Sequence, residues 1–166
     1  RHVDPAITRC MVLGDAAAGL GRTDQALAAF RAVARKRDTA EIRLRIARVL
    51  LRERRNREVL SLLADDLKRG DAAEELLVAG IRATVRTGGK ARALELARRI
   101  AERGGATPRG LYYAAIAHNS SGDFARATEL LGKVLEREPR HLGARRELIR
   151  ANCYLARREL RGGKLE

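Results

Sequence analysis

The sequence repeats itself at a short period. Gly122-Asp123-Phe124-Ala125-Arg126-Ala127 echoes Gly88-Gly89-Lys90-Ala91-Arg92-Ala93, 34 residues earlier. It also echoes Gly21-Arg22-Thr23-Asp24-Gln25-Ala26, which lies 67 residues before Gly88, two periods less one residue. The missing copy belongs at Arg54 to Val59, where Gly is absent but two apolar stretches are still interrupted. Repeats of this length bury their apolar faces by stacking on neighbours, so the period constrains the fold before any other feature does.

Each anchor lies between two helical patterns. Downstream of the last, Ala127, Leu131, Val134 and Leu135 fall at i, i+4, i+7 and i+8, one face of a helix. Ala26, Phe30, Val33 and Ala34 repeat that spacing, as do Ala93, Ala97, Ile100 and Ala101. Val59, Leu60, Leu63 and Leu67 supply a degenerate version. The upstream helices carry small residues that let two helices approach closely: Leu13 with Gly14, Ile46 with Ala47, Gly80 with Ile81, Ala114 with Ala115. The anchor Gly ends the first helix, because it takes a left-handed conformation at little cost. Composition agrees with an all-α chain: three Pro and no Trp, with aromatics at 3%, so the core is built from Ala, Leu, Ile and Val. No run of about 18 apolar residues exists, which excludes a transmembrane helix.

A 34-residue unit of two antiparallel helices resembles the tetratricopeptide repeat, and residues 108–141 carry the resemblance best. Leu111, Ala114-Ala115 and His118 stand where that family has a large residue, a Leu-Gly pair and Tyr. Gly122 is the turn Gly, followed by the aromatic Phe124. Ala127, Leu131 and Val134 hold the places of Ala, an aromatic and Ala, and Pro139 matches the closing Pro. The resemblance implies a right-handed α-α superhelix, a solenoid of repeats at about 7–39, 40–73, 74–107 and 108–141. Residues of about 142–161 are expected to form a capping helix, with Ala144, Leu148, Ala151 and Leu155 as its apolar stripe. Arg145, Arg146, Arg150, Arg157, Arg158 and Arg161 cover the rest of it. The other end, Arg1 to Ala6, offers no comparable cap; either a helix is missing or that end is a surface for self-association. The chain begins at Arg1 without Met and carries no signal-peptide pattern, which points to a piece of something longer and leaves localisation unread.

The same geometry addresses the two cysteines. Helices pack roughly 8–10 Å apart, so Cys10 and Cys153, four repeats distant, lie tens of Å from each other. A disulfide needs Cα atoms within about 7 Å, so the expectation is two buried small hydrophobes.

Chemistry is thinly represented. Three His and three Ser occur without a nucleophile-elbow pattern, and no His-Glu-x-x-His or Cys-x-x-Cys is present for a metal. Gly88-Gly89-Lys90 lacks the Ser or Thr and the upstream Gly of a phosphate loop and reads as an inter-helix turn. Asp65-Asp66 and Glu74-Glu75 read as solvated charge, and His118 as a core histidine. The expectation is a non-enzyme without cofactor or metal.

What remains is a surface. In the resembled family the first helix of each repeat lines a concave groove that binds peptides. Carried over residue by residue, the groove presents Met11 and Asp15, then Arg48 and Arg52 with Leu44 and Leu51, then Arg82 and Arg86 with Val78. Arg109, Tyr112, Ile116 and Asn119 follow. A one-residue slip in the second and third repeats would rotate Arg82 and Arg86 out of it. If the register holds, these arginines suit an acidic, partly apolar peptide, since guanidinium binds carboxylate through two hydrogen bonds. The net charge of +14, from 35 Lys and Arg against 21 Asp and Glu, has two other readings. One is a polyanion or nucleic-acid partner, for which Arg43 to Arg57 are crowded, but the chain has only two Phe and three Tyr for base stacking. The other is codon bias in a GC-rich genome, since only five of the cations are Lys. A regulatory or assembly module of a larger enzyme or secretion protein is the remaining alternative.

Overall fold

A computed structural model describes residues 4–162. Among the described residues the chain is all-helical: α1 (Pro5–Gly19), α2 (Thr23–Lys36), α3 (Ala40–Arg52), α4 (Asn56–Leu62), α5 (Ala64–Lys68), α6 (Glu74–Arg86), α7 (Lys90–Ala101), α8 (Pro108–Ser121), α9 (Phe124–Arg137) and α10 (Leu142–Gly162). Four of these helices end in one and the same turn. The N–H of Arg22, Arg55, Gly89 and Asp123 donates to the carbonyl five residues back, on Ala17, Leu50, Thr84 and His118, at 2.8, 2.9, 3.0 and 3.0 Å. The preceding N–H, on Gly21, Arg54, Gly88 and Gly122, donates three residues back to Ala18, Leu51, Val85 and Asn119. This double bond pattern satisfies carbonyls that the helix end would otherwise leave unpaired, and it requires a left-handed residue at its corner. The corner residues have φ of +72°, +56°, +82° and +86°. Where the sequence lost its Gly, Arg54 itself takes the left-handed conformation.

The chain divides into two compact units, Arg1–Ala72 and Ala73–Glu166. In the first, α1 packs on α2, α2 on α3, α3 on α4 and α4 on α5. Phe30 is its largest fully buried side chain, and Gly14 makes room for it: a Cβ on Gly14 would fall 2.5 to 2.8 Å from the Phe30 ring. Ala26, Leu27, Val33, Ile46, Ala47 and Leu50 are buried in the same core. The degenerate stretch from Val59 to Leu67 is not one helix but two, interrupted at Leu63 (φ −97°, ψ 8°). The short second piece delivers Asp66 to Arg43. Arg43 Nε and Nη2 donate to the two Asp66 oxygens at 2.7 and 2.9 Å, and Nη1 pairs with Asp38 at 2.7 Å. Asp66 is only 6% exposed, so it is not the solvated charge expected of Asp65-Asp66; Asp65 alone fits that description.

In the second unit α6 packs on α7, α7 on α8, α8 on α9 and α9 on α10, while α6 also touches α8 and α8 touches α10. The large side chains of its core include Leu77, Ile81, Leu96, Ile100, Leu130, Leu131 and Val134. Leu27, Leu96 and Leu130 widen the apolar face of each second helix beyond the spacing read from sequence. Glu74 accepts from the Thr107 N–H at 3.1 Å and from its hydroxyl, tying the start of α6 to the start of α8; it too is engaged rather than solvated. His118 contacts Asp123 at 2.8 Å across the turn they flank. Helix α10 buries Ala144 and Ala151 fully, with Leu148 and Leu155 half-buried. Both cysteines are free thiols. Cys10 is half-buried but Cys153 is exposed, because it sits on the side of α10 away from Ala151, so the expectation of two buried cysteines fails for it.

Two stability measurements follow. A non-Gly residue in the left-handed region costs about 1 kcal/mol, so Arg54→Gly should raise urea-unfolding stability by about 0.5–1 kcal/mol, and Gly122→Ala should lower it by about 1 kcal/mol. Asp66→Ala leaves the Arg43 guanidinium without its main partner, and a loss of about 3 kcal/mol is expected in the same assay.

Candidate functional site

The turns supply a register for the first helices. Counted back from each left-handed residue, Asp15, Arg48, Arg82 and Ile116 occupy one equivalent position. Met11, Leu44, Val78 and Tyr112 occupy another, one helical turn earlier, while Arg52 and Arg86 are equivalent near the helix end. Arg48 and Arg82 are thus matched residues of α3 and α6, without the one-residue slip considered for the second and third repeats.

In the first unit, Asp15, Arg48 and Arg52 line one cavity of about 210 Å³ together with Ala18, Arg45 and Val49. Their chemistry differs. Asp15 is held by Arg45, which also donates to Glu41 at 3.0 Å, so this carboxylate is already neutralised. Arg52 Nη1 donates to the Ala18 carbonyl at 2.8 Å, an acceptor it shares with the Gly21 N–H at the end of α1. Arg48 is exposed and has no ion pair or hydrogen-bond partner among the described residues. Met11 lines a separate cavity of about 340 Å³ with Ile7, Val33 and Ile42, and Leu51 is buried in the core. A larger cavity, about 590 Å³, opens between α2, α3 and α4; its Arg43 and Arg31 are paired with Asp66 and Glu58, and no expected site residue lines it.

In the second unit an aromatic cluster organises the face. Tyr112 meets Tyr113 edge-on with centroids 5.1 Å apart and lies 4.8 Å from the His141 ring. The Arg82 guanidinium sits 5.4 Å above the Tyr113 ring, an attraction between cation and π-face. Burial pushes the Tyr112 phenol above its usual pKa, and the carboxylate of Glu147 adds to the shift. Arg109 is exposed at the second residue of α8, where the helix dipole disfavours a cation, and it has no ion-pair partner among the described residues. Ile116 is half-buried and Arg86 exposed. Asn119 is 4% exposed and its amide donates to the Glu147 carbonyl and carboxylate at 3.4 and 3.2 Å, so it serves the α8–α10 contact. Val78 is equally buried.

Sequence reasoning missed three residues of these faces. Arg45 neutralises Asp15, Tyr113 carries Arg82, and His141 caps α10 by accepting the Ala144 N–H at 3.0 Å. The charge pattern alone held a partial signal for the first only. Among the described residues no group of three or more His, Cys, Asp and Glu is placed to hold a metal ion, and no helix is long and apolar enough to cross a membrane.

The Tyr112 phenol sets a pH dependence. A phenol whose folded pKa exceeds the unfolded value near 10 stabilises the fold fully below pH about 10, and that contribution is lost as pH rises through the folded value. Stability should therefore fall at alkaline pH, and Tyr112→Phe should flatten the fall; an unchanged slope would refute the assignment. No protein-family model matches the chain, and no curated protein matches it.

Proposed function

We propose that this chain is a non-catalytic protein-interaction scaffold of the tetratricopeptide type, taking an acidic, extended peptide on the faces of its first helices. A right-handed superhelix with those helices on its inner side, closed by α10, belongs to the same reading. The observation that carries it is how the arginines are partnered. On the second helices, cations are matched locally: Arg55 with Glu58, Arg92 with Glu95, Arg98 with Glu102, and Arg126 and Lys133 with Glu129. Arg31 and Lys36 pair instead with acids outside their own helix, Glu58 and Asp4, and Arg35, Arg57, Lys90 and Arg137 have no carboxylate partner among the described residues. At the expected groove positions Arg48, Arg52, Arg82 and Arg109 have no carboxylate partner among the described residues; Arg52 rests on a carbonyl and Arg82 on a ring. Guanidinium groups fixed beside apolar side chains and left without counter-charge favour carboxylates from outside.

The nucleic-acid alternative has less support. Phe30 is buried, Phe124 and Tyr154 stack on each other at 4.7 Å, and Tyr112 and Tyr113 are clustered, so each ring that a base would stack on is already engaged. Fluorescence anisotropy with a labelled peptide alternating Glu and Leu tests the proposal, with generic single-stranded RNA as the rival probe. Arg48→Glu and Arg109→Glu should each weaken the peptide about tenfold while leaving helicity unchanged. Arg52→Glu is the poorer probe, because losing the Ala18 hydrogen bond adds about 1 kcal/mol of instability. Undiminished peptide binding by both variants, or tighter binding of the RNA, would overturn the reading.

A further inference from the structure

Helix α10 has two apolar stripes, and the fold uses one of them. Ala144, Leu148, Ala151 and Leu155 turn inward on α8 and α9. On the opposite side Leu142, Ile149, Cys153, Ala156 and Leu160 form a second line, all exposed, with Leu142 at 78%, Ile149 at 64% and Leu160 at 71%. From Ile149 the steps are four, three and four residues, and Leu142 lies seven before Ile149. That is the narrow seam of a coiled coil, with Leu142, Ile149 and Ala156 at d and Cys153 and Leu160 at a. The third a position is Arg146. Arg150 and Arg157 fall at e and Arg145 at g, beside Asn152 and Glu159. Among the described residues Arg145, Arg146 and Arg157 have no ion-pair partner, and Arg150 reaches Glu147 at 3.5 Å.

We infer that this outer seam of α10 docks an acidic amphipathic helix from a partner protein, at a surface separate from the first-helix faces. The spacing selects a helix. A membrane interface would call for a broad apolar face with large side chains, whereas this line is about one side chain wide and two of its members are Ala and Cys. Small knobs at Cys153 and Ala156 let a partner helix come close there. The charge selects the partner. In an antiparallel pair of two copies Arg150 and Arg157 would face each other, and in a parallel pair Arg146 would meet Arg146 and Arg145 would meet Arg150. Self-pairing is opposed in either direction; Glu at the partner's e and g positions would answer all four arginines.

The test uses the whole chain, in reductant so that Cys153 cannot cross-link, and two labelled synthetic helices of about four heptads with Leu at a and d. One carries Glu at e and g, the other Lys, so each repels itself and stays monomeric. The Glu peptide should bind at least about tenfold more tightly than the Lys peptide. Ile149→Gln with Leu160→Gln should reduce that affinity by about tenfold or more at unchanged helicity, both side chains being exposed. Arg150→Glu with Arg157→Glu should reverse the preference. Arg48→Glu should leave it intact, which separates this surface from the first-helix faces. Equal binding of both peptides, no binding, or Glu-peptide binding indifferent to Ile149 and Leu160 overturns the inference. So does capture by phosphatidylserine vesicles without peptide preference, or a dimer that the Ile149 and Leu160 changes dissolve.

Discussion

The fold depends on one small device, a helix end closed by two backbone hydrogen bonds around a left-handed residue. It recurs at Gly21, Arg54, Gly88 and Gly122, at intervals of 33 or 34 residues. A helix that stops without it would expose unpaired carbonyls, and the chain would not reverse in so few residues. Because the turn fixes where each first helix ends, it also fixes which of its residues face alike. The equivalence of Arg48 with Arg82, and of Met11 with Tyr112, follows from backbone hydrogen bonds rather than from side-chain similarity.

Packing then imposes size. Gly14 lies flat on Phe30, and Gly110 leaves room for the Glu74 carboxylate that binds Thr107; a side chain at either place would displace its neighbour. Charge is sorted by the same contacts. An arginine with a carboxylate one turn away on its own helix is neutralised locally, as in α7 and α9, and such exposed pairs contribute little beyond solubility. Arg43 is different, since burying Asp66 makes each partner indispensable to the other, and the pair pins the interrupted helix of the first unit. The high positive charge is therefore several populations: cations paired on their own helix, the Arg43 pair with buried Asp66, and exposed cations such as Arg48, Arg109, Arg145 and Arg157 with no carboxylate partner among the described residues.

How much of this was legible in advance varied with the range of the interaction. The turns at Gly21, Gly88 and Gly122, and the inner stripes of the second helices, are written in local spacing. Arg54 was legible only as an absence of Gly, because nothing local says that an arginine will accept a strained conformation. Asp66 and Glu74 looked like ordinary acids at helix ends; their partners, Arg43 and Thr107, are 23 and 33 residues away. Asn119 followed the pattern of a groove residue and instead lies within the α8–α10 contact, because the partner helix reaches over it.

By itself, then, the sequence determined the helical character, the period and the positions of the helix stops, since these rest on propensity and on contacts within a few residues. The inner stripe of α10, Ala144 to Leu155, was legible in the same way. Only the tertiary structure decided which polar groups are spent internally and that a second apolar line on α10 stays uncovered, because burial depends on neighbours that a helix's own spacing does not specify. The contacts with α8 and α9 chose the Ala144–Ala151 side, where small residues allow close approach, and left Ile149 and Leu160 in water.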